Sequence, residues 1–253
     1  MLSLSGFERN YAMGNVIAIT SGKGGAGKST FAVNIAAALA ARGHETIVVD
    51  MNSGIRNLDI YMGLENKVLF DLGDVLTGLC DIEKAIIRDD RFVHLALLSS
   101  PQYKIISGVS ADHVKLIVRR LREDFEYVVI DCPGGLDSSF VNAVSAADTA
   151  LLIVTPDHVS MRNSDVVARR MEGLGLKNRF IAINMYDVEL TAEGVLPDIN
   201  QITKNFSFPL AGTIPLDASI HIANNTGCPI MCQGYAALPE AFMNIAMKLA
   251  QAK

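Results

Sequence analysis

Cysteine is scarce in this chain. Cys80, Cys132, Cys228 and Cys232 are too few and too scattered for a disulfide framework, so a reducing, cytoplasmic setting is expected. Within Cys228-Pro-Ile-Met-Cys232 the two thiols are separated by three residues; buried structural cysteines and a metal or iron–sulfur cluster shared between two subunits both fit, and no second pair accompanies them. An excess of basic charge is also missing. Lysine and arginine number 22 against 27 acids, a net charge of −5 with the two signs interspersed, so non-specific nucleic-acid binding is not expected. No apolar run reaches the ~18 residues that a membrane span requires, and the N-terminus lacks the charged-then-apolar pattern of a secretory signal.

Half of the 253 residues are hydrophobic and 19% are charged, which is enough apolar material for one sizeable α/β core. Residues 1–15 show no periodicity and read as a tail. Residues 16–253 read as a single domain. In the tail Leu2, Leu4 and Phe7 would bury little area on a membrane.

The most informative stretch is Ser21-Gly22-Lys23-Gly24-Gly25-Ala26-Gly27-Lys28-Ser29-Thr30, between the apolar run from Val16 to Thr20 and a helical pattern beginning near Phe31. Strand, glycine loop and helix in that order, with Gly22 to Ser29 in full register, make a phosphate loop. Glycines let the backbone take positive φ and curl its N–H groups around an anion, and the helix that follows points its positive end at the same place. Lys28 supplies a full charge between the outer phosphates, and the Ser29 hydroxyl is placed to ligate Mg²⁺. Lys23, a second lysine near the loop's start, is not needed to hold phosphates within one subunit.

The remaining chain alternates strand and helix patterns. Phe31 to Arg42 places Phe31, Ile35, Ala38 and Leu39 on one face with Gly43 closing the helix. Thr46–Asp50 and Tyr127–Asp131 are short apolar strands, each ending in a carboxylate, as parallel strands beside a ligand do. Asp131 is the expected second acidic element, holding Mg²⁺. Further strands are expected over Val93–Leu98, Ala150–Thr155, Phe180–Asn184 and Leu210–Pro215. The helix Ala111–Asp124 turns Val114, Ile117, Val118 and Leu121 inward and shows Arg119, Arg120 and Arg122 outward, which reads first as a solvated face. His158 has no acid–base partner in the pattern and reads as a surface loop residue. In the last helix Tyr235, Leu238, Phe242, Ile245 and Leu249 form one apolar stripe. The fold class is therefore α/β, a doubly wound, mostly parallel sheet with helices on both faces.

The pattern Lys23-Gly24-Gly25-Ala26-Gly27-Lys28-Ser29-Thr30 resembles the deviant Walker A phosphate loop of the MinD and ParA family of dimerising ATPases. Asn52-Ser53-Gly54-Ile55-Arg56-Asn57-Leu58-Asp59, Met62-Gly63-Leu64-Glu65, Asp71-Leu72, Asp74-Val75-Leu76 and Ala85-Ile86-Ile87-Arg88-Asp89 resemble its MinD branch, and such motifs cover most of the chain from Val16 to about Pro229. The resemblance implies that ATP and Mg²⁺ are the ligands, that two chains sandwich two nucleotides, and that Lys23 crosses to the partner's nucleotide. It implies that Gly134, in Cys132-Pro133-Gly134-Gly135, belongs to a switch beside the γ-phosphate, that Asn184 reads adenine, and that Pro215 walls the base pocket. Arg162 and Asp165 would lie at the dimer interface. Where the family has an aspartate orienting the attacking water this chain has Asn52, which brings no negative charge and takes no proton; where it has an arginine and an acid near the base, this chain has Met185 and Leu216.

These departures set the functional expectations. ATP binding survives, hydrolysis is slow, with Lys23, Lys28 and Asn52 at the reacting end, and a homodimer acts with a regulatory or effector protein. Division-site placement is the first reading. The others are a non-hydrolysing ATP-dependent switch and a related ATPase for another cargo, such as flagellar placement, partition or metal-cluster assembly. Relatives of that branch continue into a basic amphipathic helix that enters the membrane; the sequence stops at Lys253 without one, so membrane contact by that route is not expected.

Overall fold

The computed structural model describes residues 13–102, 109–232 and 237–252. Most of the expected tail, with Leu2, Leu4 and Phe7, and Tyr235 of the last apolar stripe lie outside the described residues. Eight strands form one sheet: β1 (Asn15–Ser21), β2 (Thr46–Asp50), β3 (Ile86–Arg88), β4 (Leu95–Leu98), β5 (Tyr127–Asp131), β6 (Thr149–Val154), β7 (Asn178–Tyr186) and β8 (Leu210–Pro215). The longer helices and one short helix that bear on the site are α1 (Lys28–Ala41), α2 (Leu58–Tyr61), α3 (Ala111–Asp124), α4 (Ser138–Ser145), α5 (His158–Gly173), α6 (Ala218–Thr226) and α7 (Ala237–Ala250). The strand order is β3-β4-β2-β5-β1-β6-β7-β8, parallel except for β3, which pairs antiparallel with β4 at one edge.

Period-two alternation splits the strand residues between two cores. Ile17, Ile19, Val48, Val129, Leu151 and Ile153 face α1 and α7. Val16, Ala18, Ile47, Val49, Val128 and Ile130 face the side covered by α3, α4 and α5. Burial on both faces is why these strands read as unbroken apolar runs. β1 lies between β5 and β6, so the loops at the carboxyl ends of the central strands converge on one crevice, where ligands bind in sheets of this kind.

Helix α1 begins at Lys28, three residues before the expected Phe31, because Gly27 turns the chain directly into it at φ 100°. It is also buried on every side from Thr30 to Ala40, not on one face. Its run of alanines lets α7 approach closely, and Phe31 meets Phe242 of α7 edge to face, with centroids 5.2 Å apart. The buried Asn34 is satisfied: it donates to the Thr30 carbonyl and accepts from the Ile230 N–H at 2.7 Å.

Helix α3 turns Val114, Ile117, Val118 and Leu121 inward as the periodicity requires. Two of its three outer arginines are answered by acids, Arg120 by Glu83, Glu123 and Asp124 and Arg122 by Asp148 at 3.0 Å, while Arg119 is exposed. No described helix is long and apolar enough to cross a membrane. Since Phe242 is fully buried between α1 and the sheet, Phe242→Ala is expected to cost about 3–5 kcal/mol of stability, measured as a lower urea midpoint at unchanged slope.

Candidate active site

The glycine loop is shaped by its neighbours. A Cβ on Gly22 would come within 2.5 Å of the α5 backbone at Asn163 and Ser164, and one on Gly27 within 2.3 Å of the Asn184 side-chain nitrogen. Gly24 and Gly25, the latter at φ 76°, face open space instead. The loop is thus gripped at both ends while its middle lies bare to the cleft, the arrangement that lets backbone N–H groups reach an anion. The Ser21 hydroxyl donates to the Lys23 carbonyl at 2.8 Å and accepts from the Lys28 ammonium at 3.4 Å, which steers Lys28 along the loop.

Behind the loop two carboxyl groups stand side by side. Asp50 and Asp131 are partners in the β2–β5 register and both are buried. The Ser29 hydroxyl donates to Asp131 Oδ2 at 2.6 Å, and the Asn52 side chain donates to the same oxygen at 2.9 Å. The Asn52 backbone N–H donates to Asp50 Oδ1 at 2.8 Å, so this residue ties the two acids together. Burial, reinforced by the Asp50 charge, pushes the Asp131 carboxyl up to about 7, and burial raises Asp50 too. Neither nearby acid is free to stand in for an aspartate at position 52: Asp50 also accepts from the Asn57 N–H at 3.4 Å, and Asp59 is held by Arg56 at 2.6 Å.

The donor set fits Mg²⁺. Asp131 Oδ1 is buried with no hydrogen-bond partner and lies on the same carboxyl that the Ser29 hydroxyl contacts, two hard oxygen donors of the kind this ion takes. Among the described residues no group of three His, Cys, Asp or Glu side chains is arranged to hold a metal, so such an ion needs further oxygens from a ligand or water.

Lys23 leaves the loop and pairs with Asp157 at 3.0 Å. Asp157 starts α5, accepting from the Ser160 N–H at 2.8 Å, and also accepts from the Thr155 hydroxyl at 2.6 Å. Burial alone would raise this carboxyl; the bonds from Thr155, Ser160 and Lys23 hold it below the usual carboxylate range. Arg162 is exposed, and Asp165 pairs with Arg169 within its own helix at 3.0 Å.

At the far end, the buried Asn184 donates its amide to the Ala26 carbonyl at 2.8 Å, leaving its oxygen as the acceptor. Met185, next to it, takes φ 57° where the β7–β8 register shifts, and Leu216 donates its N–H to Tyr186 at 3.1 Å. A cleft of about 1110 Å³ joins these parts, lined among others by Lys28, Ser29, Asn52, Gly134, Asn184 and Pro215. Thr30, Gly24, Gly25 and Gly27 line it as well; Gly22 and Lys23 do not, and Ala26 is buried beneath it. Asn57, Tyr61, His221 and Asn224 also line the cleft and were not singled out from sequence. Asn224 donates to the Thr30 hydroxyl at 2.9 Å. These four fall on short or unremarkable segments with no spacing signal; only proximity to Asn52 in the chain pointed toward Asn57 and Tyr61.

Glycine loop, helix and acidic strand ends at the switch point of a parallel sheet define a phosphate-loop nucleotide-binding protein. Residues 14–178 match the AAA domain family. The chain is 38% identical over 227 residues to the septum site-determining protein MinD of Helicobacter pylori, covering 87% of this chain and 84% of that one. It is 36% identical over 239 residues to MinD of Bacillus subtilis, covering 94% and 89%. The solved MinC:MinD cell division protein complex of Aquifex aeolicus is similar across 93% of this chain and 95% of that chain, with a TM-score of 0.86 at 32% identity. The chain belongs to the MinD family of septum site-determining proteins, which are P-loop ATPases.

The raised Asp131 carboxyl carries a sign. It keeps its proton to about 7 when folded but to about 3.9 when unfolded, so the folded chain binds more protons within that window and loses stability as pH rises through it. Between pH 5 and 8 the melting temperature of nucleotide-free, metal-free protein is expected to fall relative to that of Asp131→Asn; a difference between the two that does not change with pH refutes this.

Proposed function

We propose that this chain binds Mg²⁺-ATP in the cleft, pairs with a second copy while ATP is held, and works as a slow ATPase switch in division-site placement together with an effector protein. Family membership supports the process; the finer reading rests on one observation, that Asn52 occupies the position facing the cleft and spends its amide on Asp131.

The loop's N–H groups, the Lys28 ammonium and the N-terminus of α1 bind the phosphates. Ser29 and Asp131 would hold Mg²⁺, whose charge would neutralise the negative charge that develops on the phosphate. Asn184 offers its oxygen to the amino group of adenine, and Met185, Pro215 and Leu216 form the rim around the base. A Cβ built on Gly134 would meet nothing within 4 Å, so this position faces open space on the cleft side, where its backbone can approach an outer phosphate. Lys23 exchanges Asp157 for the nucleotide of the partner subunit. The effector role follows from similarity to the MinC:MinD complex, in which a chain of this family is assembled with another protein.

A second reading, an ATP-dependent switch with no useful hydrolysis, is favoured by Asn52 itself, which cannot take a proton from water. Nothing of comparable weight supports a cluster carrier: Cys228 and Cys232 do not line the cleft.

Asn52→Asp is expected to raise ATP turnover by about 10²-fold. It also sets a third carboxylate against Asp50 and Asp131, so the nucleotide-free variant should melt at lower temperature; equal turnover in both proteins refutes the assignment. Lys23→Ala should keep ATP binding and lose ATP-dependent pairing in light scattering. Pairing that survives the substitution removes Lys23 from the interface.

A further inference from the structure

Tyr61 stands apart from every motif yet faces the nucleotide cleft. It ends α2, and that short helix is fixed from several directions. Leu58 and Met62 are fully buried, and α2 rests against both α1 and α6. Asp59 holds Arg56, and the Leu64 N–H donates to the Asp59 carbonyl at 2.8 Å. Arg91 donates to the Met62 carbonyl and, at 2.7 Å, to that of Gly227. Gly63 and Gly227 touch so closely that a Cβ on Gly63 would meet the Gly227 oxygen at 2.8 Å. The turn therefore has little freedom, and Tyr61 is presented from a rigid seat.

The ring packs half-buried on the core beneath α1, while the residue lines the cleft with Lys28, Ser29, Asn52 and Asn57. Among the described residues nothing donates to or accepts from its hydroxyl. The hydroxyl is not among the buried polar atoms and lies on the open side of the ring, where a ligand in the cleft can reach it. Helix α2 packs against α1, the helix that opens with Lys28 and Ser29, and burial followed by the Asp131 charge raises the phenol.

We propose that the Tyr61 hydroxyl donates a hydrogen bond to a phosphate oxygen of the bound nucleotide and is a binding residue that the phosphate-loop pattern does not include. The proposal rests on the nucleotide reading above. Its chemistry suits the site: at neutral pH a phenol is a donor without charge, so it adds to the loop's N–H groups without competing with Lys28 or with a metal ion for Asp131.

Calorimetric titration of Mg²⁺-ATP into wild type, Tyr61→Phe and Lys28→Ala tests it, together with melting temperatures of the nucleotide-free proteins. Tyr61→Phe removes one oxygen that has no partner among the described residues, so its melting temperature is expected to equal that of wild type while ATP affinity falls about tenfold, the loss typical of a hydrogen bond to a charged group. Unchanged affinity overturns the proposal and leaves the nucleotide reading standing. Lost affinity with an equally lowered melting temperature also overturns it, because the phenol would then act through the fold. A wild-type chain that binds no ATP, indistinguishable from Lys28→Ala, removes the nucleotide reading and the proposal together.

Discussion

Two carboxyl groups taken out of water at the ends of neighbouring strands govern this site. Asp50 and Asp131 repel each other at close quarters, and burial removes the solvent that would screen them. Without nucleotide the molecule answers with a proton on Asp131 at mildly acidic pH and with donors: the Ser29 hydroxyl, the Asn52 amide and N–H, and the N–H of Asn57. A divalent ion beside Asp131 would answer better, since it replaces the proton and satisfies the oxygen that has no partner. The elements that fix the strand ends in register therefore also set how strongly the cleft calls for a cation.

Asn52 is best understood against that background. An aspartate at this position would serve hydrolysis, but in the nucleotide-free chain it would be a third anion beside two buried ones. The amide donates to Asp131 and quiets the cluster, and on the proposed reading it gives up the charge that would orient water. On that reading, stability of the empty site and speed of the chemistry would pull in opposite directions on one residue, as they commonly do where a site holds strain or unpaired charge.

Much of this was legible in the sequence because it depends on local pattern. The glycine spacing, the apolar strands and their terminal acids are short-range signals, and Lys28, Ser29, Asn52, Gly134, Asn184 and Pro215 do line one cleft. What escaped depends on contacts distant in sequence. The all-round burial of α1 comes from α7, some 200 residues away, and an amphipathic reading of α1 alone has no access to it. Two of the outer arginines of α3 looked basic until Glu83 and Asp148, on other elements, met them. Asn184 was read for its amide, but its nitrogen is committed to Ala26, a pairing across 158 positions that leaves only the oxygen for a base.

The ion pair between Lys23 and Asp157 shows how such a distant contact constrains a switch. Both side chains are well exposed, at 43% and 33%, and exposed pairs of this kind contribute about 0–1 kcal/mol. Asp157 does not depend on the lysine, since Thr155 and the Ser160 N–H satisfy it within its own chain. Breaking the pair therefore costs little and leaves no buried charge behind, in contrast to what breaking up the Asp50–Asp131 cluster would do. In the proposed pairing, a triphosphate offered by a second chain would carry several negative charges and would outcompete one solvated carboxylate for the same ammonium. The pair keeps Lys23 out of its own cleft, and the proposed crossing to a second chain would need only this weak contact to break.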